Sequence, residues 1–217
     1  MGQGLFFTQL LDPTTQFYAL SWILVVIISI TIHELAHGFA AVYLGDDTPI
    51  HLNRLTGNPI VHMGPFSLIA LLIAGIAWGQ MPVDHTRLKG RHAGALVAAA
   101  GPASNILLAI LALTTLGLLL RFDLLPPEAT WATNANTFLW VAGAANLILA
   151  FFNLLPVPPL DGSHIFANYN RQFADFITDP AKQGVHILMF VFAFITIPLV
   201  APQIINLALI YLSIITG

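Results

Sequence analysis

The chain has 217 residues, of which 57% are hydrophobic and only 8% are charged. Soluble domains carry roughly 25% charged residues, so this composition, with a mean hydropathy of +0.83, excludes a soluble protein and indicates an integral membrane protein. The net charge of −3 gives no sign of a nucleic-acid partner, and a sequence without cysteine can hold a metal only through His, Asp or Glu.

Four apolar stretches predict membrane-spanning helices, because a span needs about 20 residues. Three are residues 17–44, 93–120 and 137–155, and the fourth is a C-terminal stretch interrupted by Pro198 and Pro202. The prolines leave open whether that stretch is one tilted helix or two hinged segments. Since the sequence has no linker or repeat, we expect one all-α polytopic domain over residues 1–217, with about four to six transmembrane helices in the lipid bilayer.

Two smaller features are expected between the first two spans. The apolar run at residues 66–78 has a length typical of a re-entrant segment, so we expect it to enter the membrane and return on the same side. Residues 45–63 contain Pro49, Gly57 and Pro59, with partly alternating apolar residues on either side of a turn. This pattern predicts a small β-hairpin at the membrane edge.

The basic residues predict the orientation of the spans. If residues 66–78 return to the side of the membrane from which they enter, Arg121 lies on one face without another Lys or Arg. The remaining six basic residues share the opposite face: Arg54, Arg87, Lys89, Arg91, Arg171 and Lys182. Cytoplasmic loops carry an excess of Lys and Arg. We therefore expect the face with six basic residues to be cytoplasmic and the N-terminus to lie outside the cell. The C-terminal half of the first span then lies towards the cytoplasm.

Three ionisable residues lie at the end of the first span, where residues 31–41 read TIHELAHGFAA. Positions i and i+4 share one face of a helix, so His33 and His37 can present both imidazoles to one ion, with Glu34 near enough to reach water on it. Ionisable groups inside a span are rare and usually functional. The pattern favours a zinc-peptidase site over an inward polar cluster that only joins helices.

Two histidines leave a catalytic zinc one protein ligand short. Asp161 follows a long uncharged stretch that ends where Pro156, Pro158 and Pro159 interrupt the helix. From spacing alone, Asp161 is equally well explained as a ligand or as a marker of the aqueous boundary. The predicted orientation favours a ligand, because both spans enter from outside and bring their ends to similar depth.

The motifs HELAH, AGPASN and NLLPVPPLDG, in this order, resemble the site-2 protease family of intramembrane zinc metalloproteases, especially its compact prokaryotic branch. The resemblance implies hydrolysis of a peptide bond within or near a transmembrane segment of a membrane-protein substrate. It also implies a prokaryotic inner-membrane location and a catalytic core over about residues 17–164.

Carried onto this sequence, the resemblance implies one zinc ion per chain with ligands His33, His37 and Asp161, and Glu34 as the general base. It further implies substrate-positioning or oxyanion roles for two asparagines, Asn105 and Asn153. Asn146, seven residues before Asn153, is read instead as an interhelical hydrogen-bonding residue. The sequence gives no oligomeric state.

Two alternatives remain at this point. A non-proteolytic metal-binding scaffold or carrier could share the fold, although a carrier would not need Glu34 beside clustered ligands. A different membrane HExxH peptidase, such as a prenyl-protein peptidase, would take a later Glu or His as third ligand. The sequence supports that poorly, because no Glu follows Glu128 and the later histidines are only His164 and His186.

Overall fold

A computed structural model describes residues 6–217, and this part of the chain contains helices and no strand. The all-α prediction is confirmed. In chain order the helices are α1 (Thr8–Leu11), α2 (Gln16–Tyr43), α3 (Thr48–His51), α4 (Pro59–Ala74), α5 (Ala93–Arg121), α6 (Thr130–Asn153), α7 (Asp161–Ala167), α8 (Arg171–Thr178) and α9 (Gln183–Thr216), with a short 3₁₀ turn, Pro180–Lys182, before α9.

Four of the described helices, α2, α5, α6 and α9, are long and apolar enough to cross a membrane. They correspond to the four predicted apolar stretches, which are therefore confirmed as helices. The C-terminal stretch forms one helix, although Pro198 and Pro202 lie inside it. Interior prolines are tolerated in membrane helices because neighbouring groups can satisfy the backbone carbonyls that they free.

Helix α5 is the centre of the bundle and contacts α2, α6, α7 and α9, while α2 also packs against α6. On one side Leu116 packs with Ala208 of α9, and on the other Val25 of α2 packs with Val141 and Ala145 of α6. Small residues permit this close packing. The inner faces of α2, α5 and α6 therefore enclose a common interior, where polar side chains are shielded from the surroundings.

The predicted β-hairpin at residues 45–63 is wrong, because this stretch contains α3 and the start of α4. Asn58 caps α4, its side-chain oxygen accepting a hydrogen bond from the Ile60 backbone nitrogen at 3.0 Å. Pro59 occupies the first helical position, where a missing N–H is not needed. This capping signal outweighs the incomplete alternation of apolar residues.

The predicted re-entrant segment at residues 66–78 is not supported either. Helix α4 ends at Ala74, Gly75 adopts a left-handed conformation with φ 72°, and the chain then runs back beside α4 without regular structure. We call residues 76–84 the return segment. Ser67 Oγ both donates to the Trp78 carbonyl at 2.7 Å and accepts from the Trp78 nitrogen at 2.8 Å. Gln80 N then donates to His62 O at 3.0 Å.

Candidate metal centre

His33 and His37 lie on the inner face of α2 and are 8% and 7% exposed. Their spacing of four residues places both rings on one side of the helix, as the sequence predicts. The two Nε2 atoms are 3.0 Å apart. The structure therefore brings the two predicted histidine ligands together at a single point in the bundle interior.

Asp161, the first residue of α7, reaches the same point from another part of the chain. Its Oδ2 lies 3.1 Å from His33 Nε2 and its Oδ1 lies 3.3 Å from His37 Nε2. Gly162 makes this approach possible, because a β-carbon there would overlap the backbone carbonyl of Leu154 at the end of α6. The three side chains form the one group of potential metal ligands found within residues 6–217.

The other ring nitrogens of the two histidines already have partners. His37 Nδ1 is 2.7 Å from the Val97 carbonyl oxygen, and His33 Nδ1 is 2.6 Å from Asn105 Oδ1. Both oxygens are acceptors, so each Nδ1 carries a proton, and the neutral form of each ring directs a lone pair from Nε2.

Two imidazole lone pairs and the Asp161 carboxylate thus converge at the centre of the site. Three acceptors repel one another at this distance unless a cation lies between them. Imidazole nitrogen with carboxylate oxygen is a ligand set that zinc accepts, and three protein ligands are the usual number for a catalytic zinc. The donor set therefore fits a zinc ion.

Gly101 of α5 forms the wall opposite the histidines. A β-carbon at this position would overlap His37 Nε2 and would lie 2.5 Å from His33 Nε2. The absence of a side chain therefore leaves the space in which the two rings meet. Glycine in the AGPASN motif has a steric function here as well as a role in helix packing.

Glu34 lies beside the ligands, is 6% exposed, and is covered by the return segment. A β-carbon at Gly79 would overlap Glu34 Oε1 and would lie 2.7 Å from Ile30 Cγ2. Glu34 and the three candidate ligands line a cavity of about 850 Å³, whose other walls include Met81, Asn153, Phe152, Phe190 and Phe194.

Both predicted asparagines line this cavity, but they make different hydrogen bonds. Asn153 lines it, and its amide nitrogen donates to the Leu149 carbonyl one turn earlier at 3.0 Å. Asn105 is fully buried between His33 and Asn146, and its amide nitrogen donates to Asn146 Oδ1 at 2.9 Å. Asn105 therefore contacts a candidate ligand directly, whereas the amide nitrogen of Asn153 bonds within its own helix.

Several site residues were not identified from the sequence. The sequence predicts Asn146 only as an interhelical residue, and the predicted re-entrant segment at residues 66–78 includes only the first three residues of the return segment. Their positions depend on how α2, α5 and α6 pack, and the only sequence signal was the seven-residue spacing between Asn146 and Asn153.

Comparison with known proteins assigns the family. The family model described as peptidase family M50 matches residues 123–197, which include Asp161. YwhC of Bacillus subtilis carries the name of a zinc metalloprotease. It is 42% identical to this chain over 145 residues, which are 66% of each of the two chains. The chain belongs to peptidase family M50. This M50 assignment confirms the resemblance to site-2 proteases and identifies a metallopeptidase family with zinc as its implied metal.

Two further relatives of this M50 protein carry the name of the zinc metalloprotease Rip2. Rip2 of Mycobacterium tuberculosis strain H37Rv is 32% identical over 172 residues, 76% of this chain and 63% of the relative. Rip2 of Mycolicibacterium smegmatis is 31% identical over 168 residues, 72% of this chain and 60% of the relative. The chain thus spans 60–66% of the length of these curated relatives. No solved structure matches the chain.

Proposed function

We propose that this M50 protein hydrolyses a peptide bond within or near a transmembrane segment of a membrane-protein substrate, with one zinc ion held by His33, His37 and Asp161. The observation that carries the proposal is the convergence of the three donor groups. Both histidines direct Nε2 lone pairs to the point that the Asp161 carboxylate approaches at 3.1 and 3.3 Å. The names of the M50 relatives support zinc proteolysis.

The surroundings of the site favour a membrane-embedded substrate. The histidines belong to a helix long and apolar enough to span a bilayer. The cavity beside them is lined by Phe152 of α6 and by Phe190 and Phe194 of α9. Apolar walls at this depth suit an apolar peptide that enters laterally from the bilayer. A helical segment must unwind there, because its carbonyls are otherwise hydrogen-bonded.

When bound, zinc polarises a peptide carbonyl and lowers the pKa of water. Glu34 is the general base: its buried carboxylate takes a proton from the attacking water and returns it to the departing amine. Gly79 flanks Glu34 and limits the movement of its carboxylate. Asn153 uses one amide hydrogen on Leu149, and its second hydrogen is available to hold the substrate carbonyl.

We further propose that the protein lies in a prokaryotic inner membrane with its N-terminus outside and its metal centre towards the cytoplasmic side. The four candidate spans alternate in direction, and α4 is not among them. The hydrogen bond from Gln80 to His62 brings the chain back towards the start of α4. Six of the seven basic residues then share one face, which is the cytoplasmic face by the distribution of Lys and Arg.

The proposed function is tested by measuring zinc per chain and proteolysis on the same detergent-purified proteins. The variants are Glu34→Gln, His37→Ala and Asp161→Ala, and the substrate is a panel of single-span membrane proteins tagged at both ends. We expect about one zinc in the wild type and in Glu34→Gln, weaker zinc binding in the other two, and cleavage by the wild type alone. Normal zinc binding by Asp161→Ala would contradict the ligand set. Zinc binding without cleavage of any tagged protein would favour the scaffold alternative.

A further inference from the structure

A chain of buried side-chain hydrogen bonds continues from the metal centre to Asn146 on α6. His33 Nδ1 lies 2.6 Å from Asn105 Oδ1, and Asn105 Nδ2 donates to Asn146 Oδ1 at 2.9 Å. Asn146 Nδ2 donates to Ser29 Oγ, also at 2.9 Å. We call His33, Asn105, Asn146 and Ser29 the amide chain. Asn105 is 0% exposed and Asn146 is 2% exposed, so water does not compete for these bonds.

A backbone carbonyl fixes the direction of the amide chain. Asn146 Nδ2 also donates to the Ala142 carbonyl oxygen at 2.8 Å. A carbonyl oxygen only accepts hydrogen bonds. The amide nitrogen of Asn146 must therefore face Ala142, and its oxygen must face Asn105. The reversed amide would place two acceptor oxygens against each other in a buried site, which is unfavourable.

This direction is transmitted to the metal centre. Because Asn146 offers an oxygen, Asn105 must present its amide nitrogen to Asn146 and its oxygen to His33. An oxygen partner places the proton of neutral His33 on Nδ1 and leaves the lone pair on Nε2, the nitrogen that faces Asp161. The orientation of Asn146 and the tautomer of His33 are therefore coupled over two hydrogen bonds.

We propose that Asn146 is a positioning residue for the metal centre and acts through the Asn105 amide to hold His33 in the tautomer and ring orientation that zinc requires. The inference rests on the proposed role of His33 as a zinc ligand. Groups that hydrogen-bond to metal-binding histidines typically contribute about 10- to 100-fold to metal affinity or activity. If Asn146 only joined α6 to α2 and α5, its loss would lower stability and leave the zinc affinity of the folded protein unchanged.

The test compares Asn146→Leu with Asn146→Asp. Leucine removes the acceptor and leaves the Asn105 amide free to turn. A buried aspartic acid in its neutral form keeps one acceptor and one donor, so it preserves the direction of the amide chain. Thr31→Val is the matched control, since Thr31 is a buried polar residue of α2 whose hydroxyl donates within its own helix, to Ile27 O at 2.7 Å.

Zinc affinity is measured by chelator competition on detergent-purified protein, together with the thermal unfolding midpoint of the metal-free form and the visible spectrum after cobalt loading. We expect Asn146→Leu to bind zinc about 10- to 100-fold more weakly and to change the cobalt spectrum. Asn146→Asp and Thr31→Val should stay close to the wild type. Equal zinc affinity in folded Asn146→Leu, or equal weakening in Thr31→Val, would overturn the proposal.

Two further measurements separate the possible failures. If Asn146→Leu does not fold, Asn146→Ala removes the amide without added bulk and is judged by the same affinity criterion. In the wild type, the ¹⁵N spectrum of histidine-labelled, zinc-loaded protein must show His33 protonated on Nδ1, with His33→Ala identifying its signal. A proton on Nε2 would overturn the proposal without any variant at Asn146. If His33→Ala bound zinc as tightly as the wild type, the proposed ligand set would instead be refuted.

Discussion

Gly79 in the return segment lies directly against the carboxylate of Glu34, without space for a β-carbon between them. The return segment is anchored by the two Ser67–Trp78 hydrogen bonds and the Gln80–His62 hydrogen bond. This backbone therefore forms an anchored wall against Glu34. The position of the proposed general base depends on a segment that contributes no metal ligand.

Gly79→Ala should lower cleavage strongly and leave zinc binding intact. The new methyl group would overlap Glu34 Oε1 and lie 2.7 Å from Glu34 Cγ, so the carboxylate must move away from its position for proton transfer, whereas the ligands are not touched. Zinc content and cleavage of a tagged single-span protein check both parts. Gly94→Ala is the control, because the atom nearest to its added β-carbon would be His85 Nδ1, at an ordinary contact distance of 3.5 Å. Loss of zinc in Gly79→Ala would argue against separate base and metal sites.

Gly101→Ala should weaken zinc binding as well as cleavage. Its methyl group would enter the space between His33 and His37 and force the two rings apart. Alanine favours a helix over glycine by about 1 kcal/mol, so a loss cannot be attributed to helix propensity. Gly184→Ala in α9 is the control, since nothing lies within 4 Å of its added methyl group. Unchanged zinc affinity in Gly101→Ala would show that the metal lies elsewhere.

Single cysteines can test the proposed orientation, because the natural sequence contains none. Glu128 lies in the exposed connection between α5 and α6, and Asp175 is exposed on α8. A membrane-impermeant maleimide added to bacterial spheroplasts should label Glu128→Cys and not Asp175→Cys, and lysis should make both reactive. The opposite labelling would reverse the orientation and place the metal centre towards the outside.

The histidine pair on α2 could be predicted from a local rule, whereas Asp161 as a third ligand needed the predicted orientation and the resemblance to site-2 proteases. A four-residue spacing puts His33 and His37 on one helix face wherever the helix is packed. The prolines before Asp161 end the preceding helix regardless of its neighbours. The structure agrees with these positions, with all three donor groups at one point.

The error at residues 45–63 came from the relative strength of two signals. Short alternation of apolar residues is a weak indication of strand, because strand stability comes largely from neighbours. Asn58 followed by Pro59 is a specific helix-start signal whose mechanism is contained in two residues. The capping signal is therefore present in the sequence itself and is stronger than the alternation of apolar residues.

The sequence by itself determined the apolar spans and the histidine pair, since these depend on composition and helical period, whereas spacing left Asp161 equally well explained as a ligand or as a marker of the aqueous boundary. Only the tertiary structure decided that Val97 O and Asn105 accept from the two imidazoles, that Asn146 orients the Asn105 amide, and that Gly79 covers Glu34. These contacts join residues that are 41–72 positions apart along the chain. They are set by the packing of α2 against α5, α6 and the return segment, which no local sequence period encodes.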